Sequence, residues 1–198
     1  MIKQNLLDLI AIDISQCEKC KLCEGRTLTV PGEGNPNAKI AMVGEGPGAD
    51  ENISGRPFVG RAGKLLDKMI ANMGLKREDV FISNTVHCRP PDNRKPEPDE
   101  IELCLPYLKM QLQVIQPICI VALGGTAMEA LIGPGEGITK RHGQRFTTKI
   151  DNGASEDWDV SVFPVYHPSY LLRNPAAKVD AAKDLATVLS FIKYYDSI

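Results

Sequence analysis

The sequence has no long apolar run. None of its 198 residues belongs to a stretch close to the roughly 18 consecutive apolar residues that a membrane-spanning helix needs. The first residues, MIKQNLLDLIAIDISQC, also lack the basic start and the small-residue cleavage site of a signal peptide. We therefore expect a cytoplasmic protein without a membrane partner. The hydrophobic content of 43% is enough for one core, so we expect a single domain over residues 1–198 and a monomer.

The sequence also has no excess of positive charge. Its 23 Lys and Arg residues stand against 25 Asp and Glu residues, which gives a net charge of -2 and an isoelectric point of about 5.9. Proteins that bind nucleic acid through much of their surface are more basic than this. Any contact with nucleic acid must therefore use a local basic patch.

Internal repeats, low-complexity tracts and long linkers are absent too, and what remains is a regular alternation of strand and helix patterns. Strands are predicted at 39–43, Val80–Asn84, Ile118–Leu123 and 159–166. Helices are predicted at 3–14, 60–74, 99–115, 126–132 and 177–195. This alternation predicts an α/β fold, a three-layer αβα sandwich around a central, mostly parallel, four-stranded sheet.

Several segments between these elements carry weaker signals. Gly, Pro and Asn make 24–37 irregular, and the prolines of 88–100 exclude regular structure there. A further strand is possible at 145–150, followed by a turn or small insertion at 151–157. Pro106 is expected to disturb the third helix.

The residues whose chemistry suits catalysis or binding follow the predicted strands. Gly44-Glu45-Gly46-Pro47-Gly48 follows the first strand, Asn84 ends the second and His167 follows the last. Because the carboxyl ends of parallel strands share one edge of a sheet, these groups should converge on one crevice.

Each of these signals also has a purely structural explanation. The glycines can serve a tight turn, Asn84 can be a turn residue and His167 a buried structural histidine. The glycine-rich loop is not a dinucleotide or phosphate loop, because Pro47 stands where the helix should begin and no Lys-Ser/Thr pair follows.

The cysteines are a stronger signal. Cys17 and Cys20 form a C-x-x-C pair, and Cys88 and Cys104 come from a remote segment. Four thiolates from two segments fit a tetrahedral zinc site or an iron–sulfur cluster, and spacing does not separate the two. Cys23 extends the pair into a ferredoxin-like run. The sixth cysteine, Cys119, lies in an apolar strand and is expected to be a core residue.

Five ordered blocks of the sequence together point to one family. They read CEKCKLCEGRT, GEGNPNAKIAMVGEGPGADE, SGRPFVGRAGKLL, SNTVHCRPPDNRKPEPDE and HPSYLLRNP. The chain resembles the family 4 uracil-DNA glycosylases, the iron–sulfur members of the uracil-DNA glycosylase superfamily. The resemblance implies a monofunctional DNA glycosylase of base excision repair. Such an enzyme hydrolyses the N-glycosidic bond of a flipped-out deoxyuridine, releases uracil and leaves an abasic site.

The resemblance also implies a cofactor. Cys17, Cys20, Cys88 and Cys104 match the positions that hold a structural [4Fe-4S] cluster, with zinc as the alternative. Cys23 matches no ligand position and could be a bystander or an exchange ligand.

The family's catalytic roles carry over as follows. The backbone amides of Glu45 and Gly46 would contact uracil, and Glu51 would position the attacking water. Phe58 would stack on the base. Asn84 would read the uracil edge, and His167 would face uracil O2. Catalysis would therefore rest on Gly46, Glu51 and His167.

DNA contacts are implied for the segment after His167. Tyr170, Leu171 and Leu172 are candidate wedges in the DNA minor groove, and Arg173 is a phosphate contact. The candidates for a basic rim are Arg141, Lys140, Arg145, Arg89, Arg94 and Lys95.

The sequence departs from the family pattern in one place that leaves a second function open. The acidic run after Gly48 is Ala49-Asp50-Glu51-Asn52, which is thinner than in the family. The alternative is a catalytically silent iron–sulfur or zinc DNA-binding module of the same fold. No Arg-rich insertion occurs between Asn84 and Glu100, so covalent capture through an inserted histidine is not expected.

Overall fold

The structure is a computed structural model that describes residues 1–151 and 158–197. The strands are β1 (Glu33–Gly34), β2 (Ile40–Gly44), β3 (Phe81–Asn84), β4 (Cys119–Leu123), β5 (Phe146–Ile150) and β6 (Trp158–Val165). The helices are α1 (Ile2–Ser15), α2 (Ala49–Ser54), α3 (Arg61–Asn72), α4 (Pro98–Ile115), α5 (Gly125–Ile132), α6 (Ile138–Arg141), α7 (Pro168–Arg173) and α8 (Lys178–Tyr195). Apart from Asp151, the turn predicted at 151–157 lies outside the described residues.

One sheet runs through the described part of the chain, in the order β1-β3-β2-β4-β6-β5. The four inner strands are parallel to their neighbours, and β1 and β5 pair antiparallel at the two edges. The mostly parallel α/β fold is confirmed, whereas the predicted number of four strands is wrong because the described sheet has six. The added strand β1 has two residues, too few to show any alternation, and it lies in a segment predicted to be irregular.

The inner strands are buried on both faces, as expected for a parallel sheet between helices. Alternate residues of one strand pack against different helices, so that Met42 and Val121 face α3 and α8 while Ala41 and Ile120 face α4 and α5. Helices on both faces of one sheet make the three-layer arrangement. Among the described helices, none combines the length and the apolar character that a membrane crossing requires.

Three short helices, α2, α6 and α7, were not predicted, and α2 and α7 lie next to loops that line the crevice at the strand ends. In α2 the Glu51 carboxylate accepts a hydrogen bond from the backbone N–H of Gly48 at 3.0 Å, which closes the first turn. In α7 the first residue is Pro168, which suits the first position of a helix. Helix α4 continues through Pro106, so this proline does not end the helix.

Candidate active site and cysteine pocket

A cleft of about 580 Å³ lies at the carboxyl edge of the sheet. It brings together the predicted residues of all four inner strands, as expected from the parallel topology. Its lining includes Glu45, Gly46, Asp50, Glu51, Phe58, Asn84, Gly124, His167, Tyr170 and Arg173.

The glycine-rich loop after β2 lets several groups approach closely. A Cβ atom on Gly44 would lie 2.5 Å from both Asn84 Oδ1 and Phe58 Cζ, and one on Gly46 would lie 2.8 Å from Val86 Cγ2. These two positions therefore require glycine for packing, since a side chain would displace the cleft wall.

Glu45 is bound from both sides of the loop. Its carbonyl oxygen accepts the Thr85 hydroxyl at 2.5 Å and the Val86 N–H at 3.3 Å. Its carboxylate Oε2 accepts the hydroxyl of Thr126 at 2.5 Å. The residue is thus tied to the ends of β3 and β4 at once.

Glu51 holds two loops together. Its Oε1 accepts the N–H groups of Val59 at 2.9 Å and Gly60 at 3.0 Å, in addition to the bond from Gly48 to Oε2. The carboxylate is half-buried in the cleft wall. An ionised carboxylate has about four acceptor sites, so Glu51 can still accept a bond from a water molecule.

Phe58 has an unusual backbone conformation. Its φ is 51°, in the left-handed region that non-glycine residues rarely occupy, and its ring lies 5.8 Å from the His167 ring. Arg77 supports this conformation by donating hydrogen bonds to the carbonyl oxygens of Pro57 and Phe58. Gly63 is also required, because a Cβ there would lie 1.8 Å from the Phe58 carbonyl oxygen.

Asn84 carries an unsatisfied group into the cleft wall. Only 2% of the residue is exposed, and no donor in residues 1–151 and 158–197 reaches its Oδ1. A buried acceptor without a partner is costly, by about 1–3 kcal/mol. Such a group is typical of a site whose partner is a ligand.

His167 is held as a neutral imidazole of one tautomer. Its Nδ1 accepts the backbone N–H of Ser169 at 3.1 Å, so the ring proton is on Nε2. Burial lowers its pKa to about 4, the charge of Arg173 acts in the same direction, and Glu51 opposes them. Gly124, at a φ of +93°, lets the end of β4 approach, since a Cβ there would lie 3.0 Å from His167 Cβ.

The residues predicted to contact DNA separate into two groups. Arg173 is exposed at the cleft, and Tyr170 lines the cleft and stacks on Tyr166 with ring centroids 5.0 Å apart. The structure contradicts the expectation for Leu171, which is 1% exposed and packs in the core between α3 and α8. In the helix α7, Leu171 falls on the inner face, and Leu172 is more accessible.

The predicted basic rim is engaged in contacts within the protein. Arg141 lies 4.6 Å from the ring centre of Phe146 and donates to the Gly133 carbonyl at 3.4 Å. The other five have these partners: Lys140 with Glu136, Arg145 with Ser161, Arg89 with Asn93, Arg94 with Glu100 and Lys95 with Glu129.

A second pocket lies at the end of α1 and is lined by cysteines. It is bordered by the four predicted ligands Cys17, Cys20, Cys88 and Cys104 and also by Cys23. Arg26 donates to Cys88 Sγ at 3.5 Å, and the His87 N–H donates to Cys104 Sγ at 3.3 Å. All five thiols are free, and Cys119 is buried in β4 as predicted.

The chemistry of this pocket suits a metal group with sulfur ligands. Burial raises the pKa of Cys20 and Cys88 and raises that of Cys104 to about 12, so these thiols need a strong positive charge to ionise. A thiophilic metal or cluster supplies such a charge. In the part of the chain that the structure describes, no three His, Cys, Asp or Glu side chains converge closely enough to hold a single metal ion.

His87 forms part of the wall of the same pocket. It is buried, its Nδ1 lies 3.0 Å from the Val30 carbonyl, and its Nε2 has no partner among the described residues. Burial lowers its pKa to about 4. No pattern in the sequence indicates that this histidine lies at the pocket.

Sequence reasoning missed several residues that shape the cleft. Thr126, Arg77 and Ser169 act on it through the contacts above. The first two lie far along the chain from the residues that they bind, so no local pattern could reveal them. The hydrogen bond from the Ser169 N–H to His167 can be predicted only if a helix is known to begin directly after His167.

Comparisons with known proteins show the family of this chain. The model of the uracil DNA glycosylase superfamily matches residues 31–188. The chain is 46% identical over 187 residues to a Type-4 uracil-DNA glycosylase of Saccharolobus solfataricus, which covers 92% of this chain and 84% of the relative. Identity to the Type-4 enzyme of Sulfurisphaera tokodaii is 47% over 174 residues, with 85% and 77% covered. Identity to that of Thermotoga maritima is 41% over 196 residues, with 96% and 97% covered. The chain belongs to the uracil-DNA glycosylase superfamily and, within it, to the Type-4 uracil-DNA glycosylases.

Proposed function

We propose that the chain removes uracil from DNA through the cleft at the carboxyl edge of its sheet. The reaction is hydrolysis of the N-glycosidic bond, which frees uracil and leaves an abasic site. The observation that carries this assignment is the meeting of a neutral His167 with the unsatisfied amide of Asn84 in one cleft. A uracil base offers the acceptors and the N–H donor that these two groups lack.

Asn84 would select the base. Its Nδ2 can donate to uracil O4 while its Oδ1 accepts the N3–H, which satisfies the buried acceptor. Cytosine presents an N3 acceptor and an amino donor to the same amide, so both contacts become mismatched. A buried amide left in this state strongly penalises the wrong base.

His167 would stabilise the leaving group. Bond cleavage leaves negative charge on uracil and an oxocarbenium-like sugar. The Nε2–H of a neutral imidazole, together with the backbone amides of Glu45 and Gly46, can donate to uracil O2 as that charge develops. A donor of this type is typically worth about 3–4 kcal/mol of barrier. Phe58, 5.8 Å from His167, would stack on the flipped base.

Glu51 would orient the attacking water and offset the sugar's positive charge. Its carboxylate is fixed by three backbone N–H groups, so it has a defined position before DNA binds. This preorganisation suits a group that acts through geometry and charge.

The cysteine pocket is proposed to hold a structural [4Fe-4S] cluster on Cys17, Cys20, Cys88 and Cys104, with zinc as the alternative. When bound, the cluster would cross-link the end of α1, the segment after β3 and helix α4. Cys88 leads directly to Pro90, which lines the cleft. Metal analysis with a visible absorption spectrum separates a coloured iron–sulfur protein from a colourless zinc protein.

Uracil-containing DNA is the proposed partner, with Tyr170, Arg173 and Arg141 as contacts. The base must leave the stack to reach the cleft, so base flipping is implied. That the protein is a cytoplasmic monomer with a single domain stays a prediction.

The decisive experiment measures release of free uracil from a uracil-containing oligonucleotide by anaerobically prepared protein. The expected result is uracil release with an abasic site in the DNA. DNA binding without uracil release would instead support the silent DNA-binding module.

A further inference from the structure

Thr126 links the first turn of α5 to the glycine-rich loop after β2. Its hydroxyl donates to Glu45 Oε2 at 2.5 Å across 81 residues of sequence. The residue is 5% exposed and belongs to the first turn of α5, just after β4. It is not part of the cleft lining, whereas its hydrogen-bond partner Glu45 is.

The bond matters because Gly46 has no side chain to fix its own backbone. Its N–H direction depends on the peptide that joins it to Glu45. The Glu45 carbonyl is held toward β3 by Thr85 and Val86, and its carboxylate is held toward β4 by Thr126. Removing the Thr126 hydroxyl leaves the Glu45 carboxylate without the hydrogen bond that holds it toward β4.

We propose that Thr126 is a positioning residue for uracil excision, which holds Glu45 so that the Glu45–Gly46 backbone keeps its amides aimed at the departing base. This inference rests on the proposed function. A hydroxyl bound to a carboxylate is a charge-assisted hydrogen bond, stronger than a neutral one. The bond acts on an amide direction that matters most as charge develops, so the effect belongs to the chemical step.

The test compares Thr126→Val, which keeps the shape but removes the hydroxyl, with Thr126→Ser, which keeps the hydroxyl. We expect kcat for uracil release in single-turnover and steady-state assays to fall about 10-fold in Thr126→Val while KM stays unchanged. We expect Thr126→Ser to stay near wild type. Thr148→Val is a matched control, because Thr148 donates to the Leu131 carbonyl at 2.8 Å on β5, outside the cleft lining.

A double-mutant cycle tests whether Thr126 acts through Glu45. In a Glu45→Ala background, Thr126→Val should cost no further activity. The inference is overturned if Thr126→Val keeps wild-type kcat, if only KM changes, if Thr126→Ser is equally impaired, or if the full loss persists without Glu45. Absence of uracil release by the wild-type protein overturns the proposed function itself, and the inference with it, so the two failures are told apart in one assay.

Discussion

At the residue scale, His167 links catalysis to the pH dependence of stability. Its pKa in the folded protein is about 4, below the 6.5 of a free histidine. The unfolded chain therefore binds this proton more readily. The contribution of His167 to the free energy of unfolding is fully present above pH 6.5 and is lost as the pH falls toward 4.

We expect His167 to contribute a loss of about 2 kcal/mol in the free energy of unfolding between pH 7.5 and pH 5. Denaturant unfolding of wild type and His167→Asn at both pH values measures this loss. The difference between the two proteins should shift by that amount in favour of the variant at pH 5. An equal pH dependence of both proteins would contradict the neutral, buried imidazole.

Asn84 should separate activity from stability. Asn84→Ala removes the amide that reads uracil, so kcat/KM for uracil release should fall about 100-fold or more. Removing Asn84 relieves the cost of the unsatisfied Oδ1 but loses the packing of a buried side chain, and because these two effects offset each other the free energy of unfolding should change by less than about 1 kcal/mol. Ser83→Ala is the matched control: Ser83 is buried and donates to Gln111 at 3.0 Å, so its loss should lower stability and leave activity intact. A large loss of stability in Asn84→Ala would contradict a structurally idle amide.

At the element scale, the segment between α2 and α3 is shaped from outside itself. Arg77 donates to the carbonyls of Pro57 and Phe58 and forms ion pairs with Glu33 and Asp67. These contacts support the left-handed conformation of Phe58, which such a residue adopts at a cost of order 1–3 kcal/mol. The ring position in the cleft thus depends on a side chain about 20 residues away.

Arg77→Met should loosen that position. We expect KM for uracil-containing DNA to rise about 5-fold or more, with weaker inhibition by free uracil. The reason is that the ring of Phe58 is no longer held in its stacking position before the base binds. Lys76→Met is the control, since the Lys76–Glu78 pair is exposed on the surface. Steady-state kinetics and uracil inhibition measure both variants, and unchanged inhibition in Arg77→Met would contradict this role of Arg77.

The elements that could be predicted from the sequence are those whose pattern is local. Cys119–Leu123 is buried at every position and is a continuous apolar run, and α3 has its apolar residues at helical spacing. The helices α2 and α7 have six residues each and are closed by side-chain contacts such as Glu51 to Gly48, so no apolar periodicity marks them. The prediction that Leu171 contacts DNA was wrong for this reason. Leu171 is buried because it lies on the inner face of α7, a helix that no local pattern predicts.

The same distinction applies to the candidate site. Strand ends brought Glu45, Asn84 and His167 to one cleft, because parallel topology fixes where strands end. The contacts that tune them, such as Thr126 to Glu45, join residues 81 apart and depend on the packed structure.

At the scale of the whole molecule, the cysteine pocket connects distant parts of the chain beside the cleft. Cys17 follows α1, Cys88 follows β3, and Cys104 lies in α4. Between Cys88 and Cys104 the chain contributes Pro90, Asn93 and Arg94 to the cleft lining. A metal group in this pocket would therefore stabilise the fold and one wall of the active site together.

Replacing one proposed ligand should show this coupling. In Cys88→Ala we expect loss of the visible absorption and a fall of about 3 kcal/mol or more in the free energy of unfolding, because a group bound only by the folded chain stabilises it. Cys119→Ala is the matched control, since Cys119 is buried in β4 away from the pocket and its loss should leave the absorption and metal content unchanged.

Uracil release by Cys88→Ala should fall through a higher KM. The segment Pro90 to Arg94 is then no longer held by the metal group, while His167 and Asn84 lie on other segments. Full metal content in Cys88→Ala would contradict its role as a ligand, and a loss confined to kcat would place the effect of the pocket on the chemical step and not on the cleft wall.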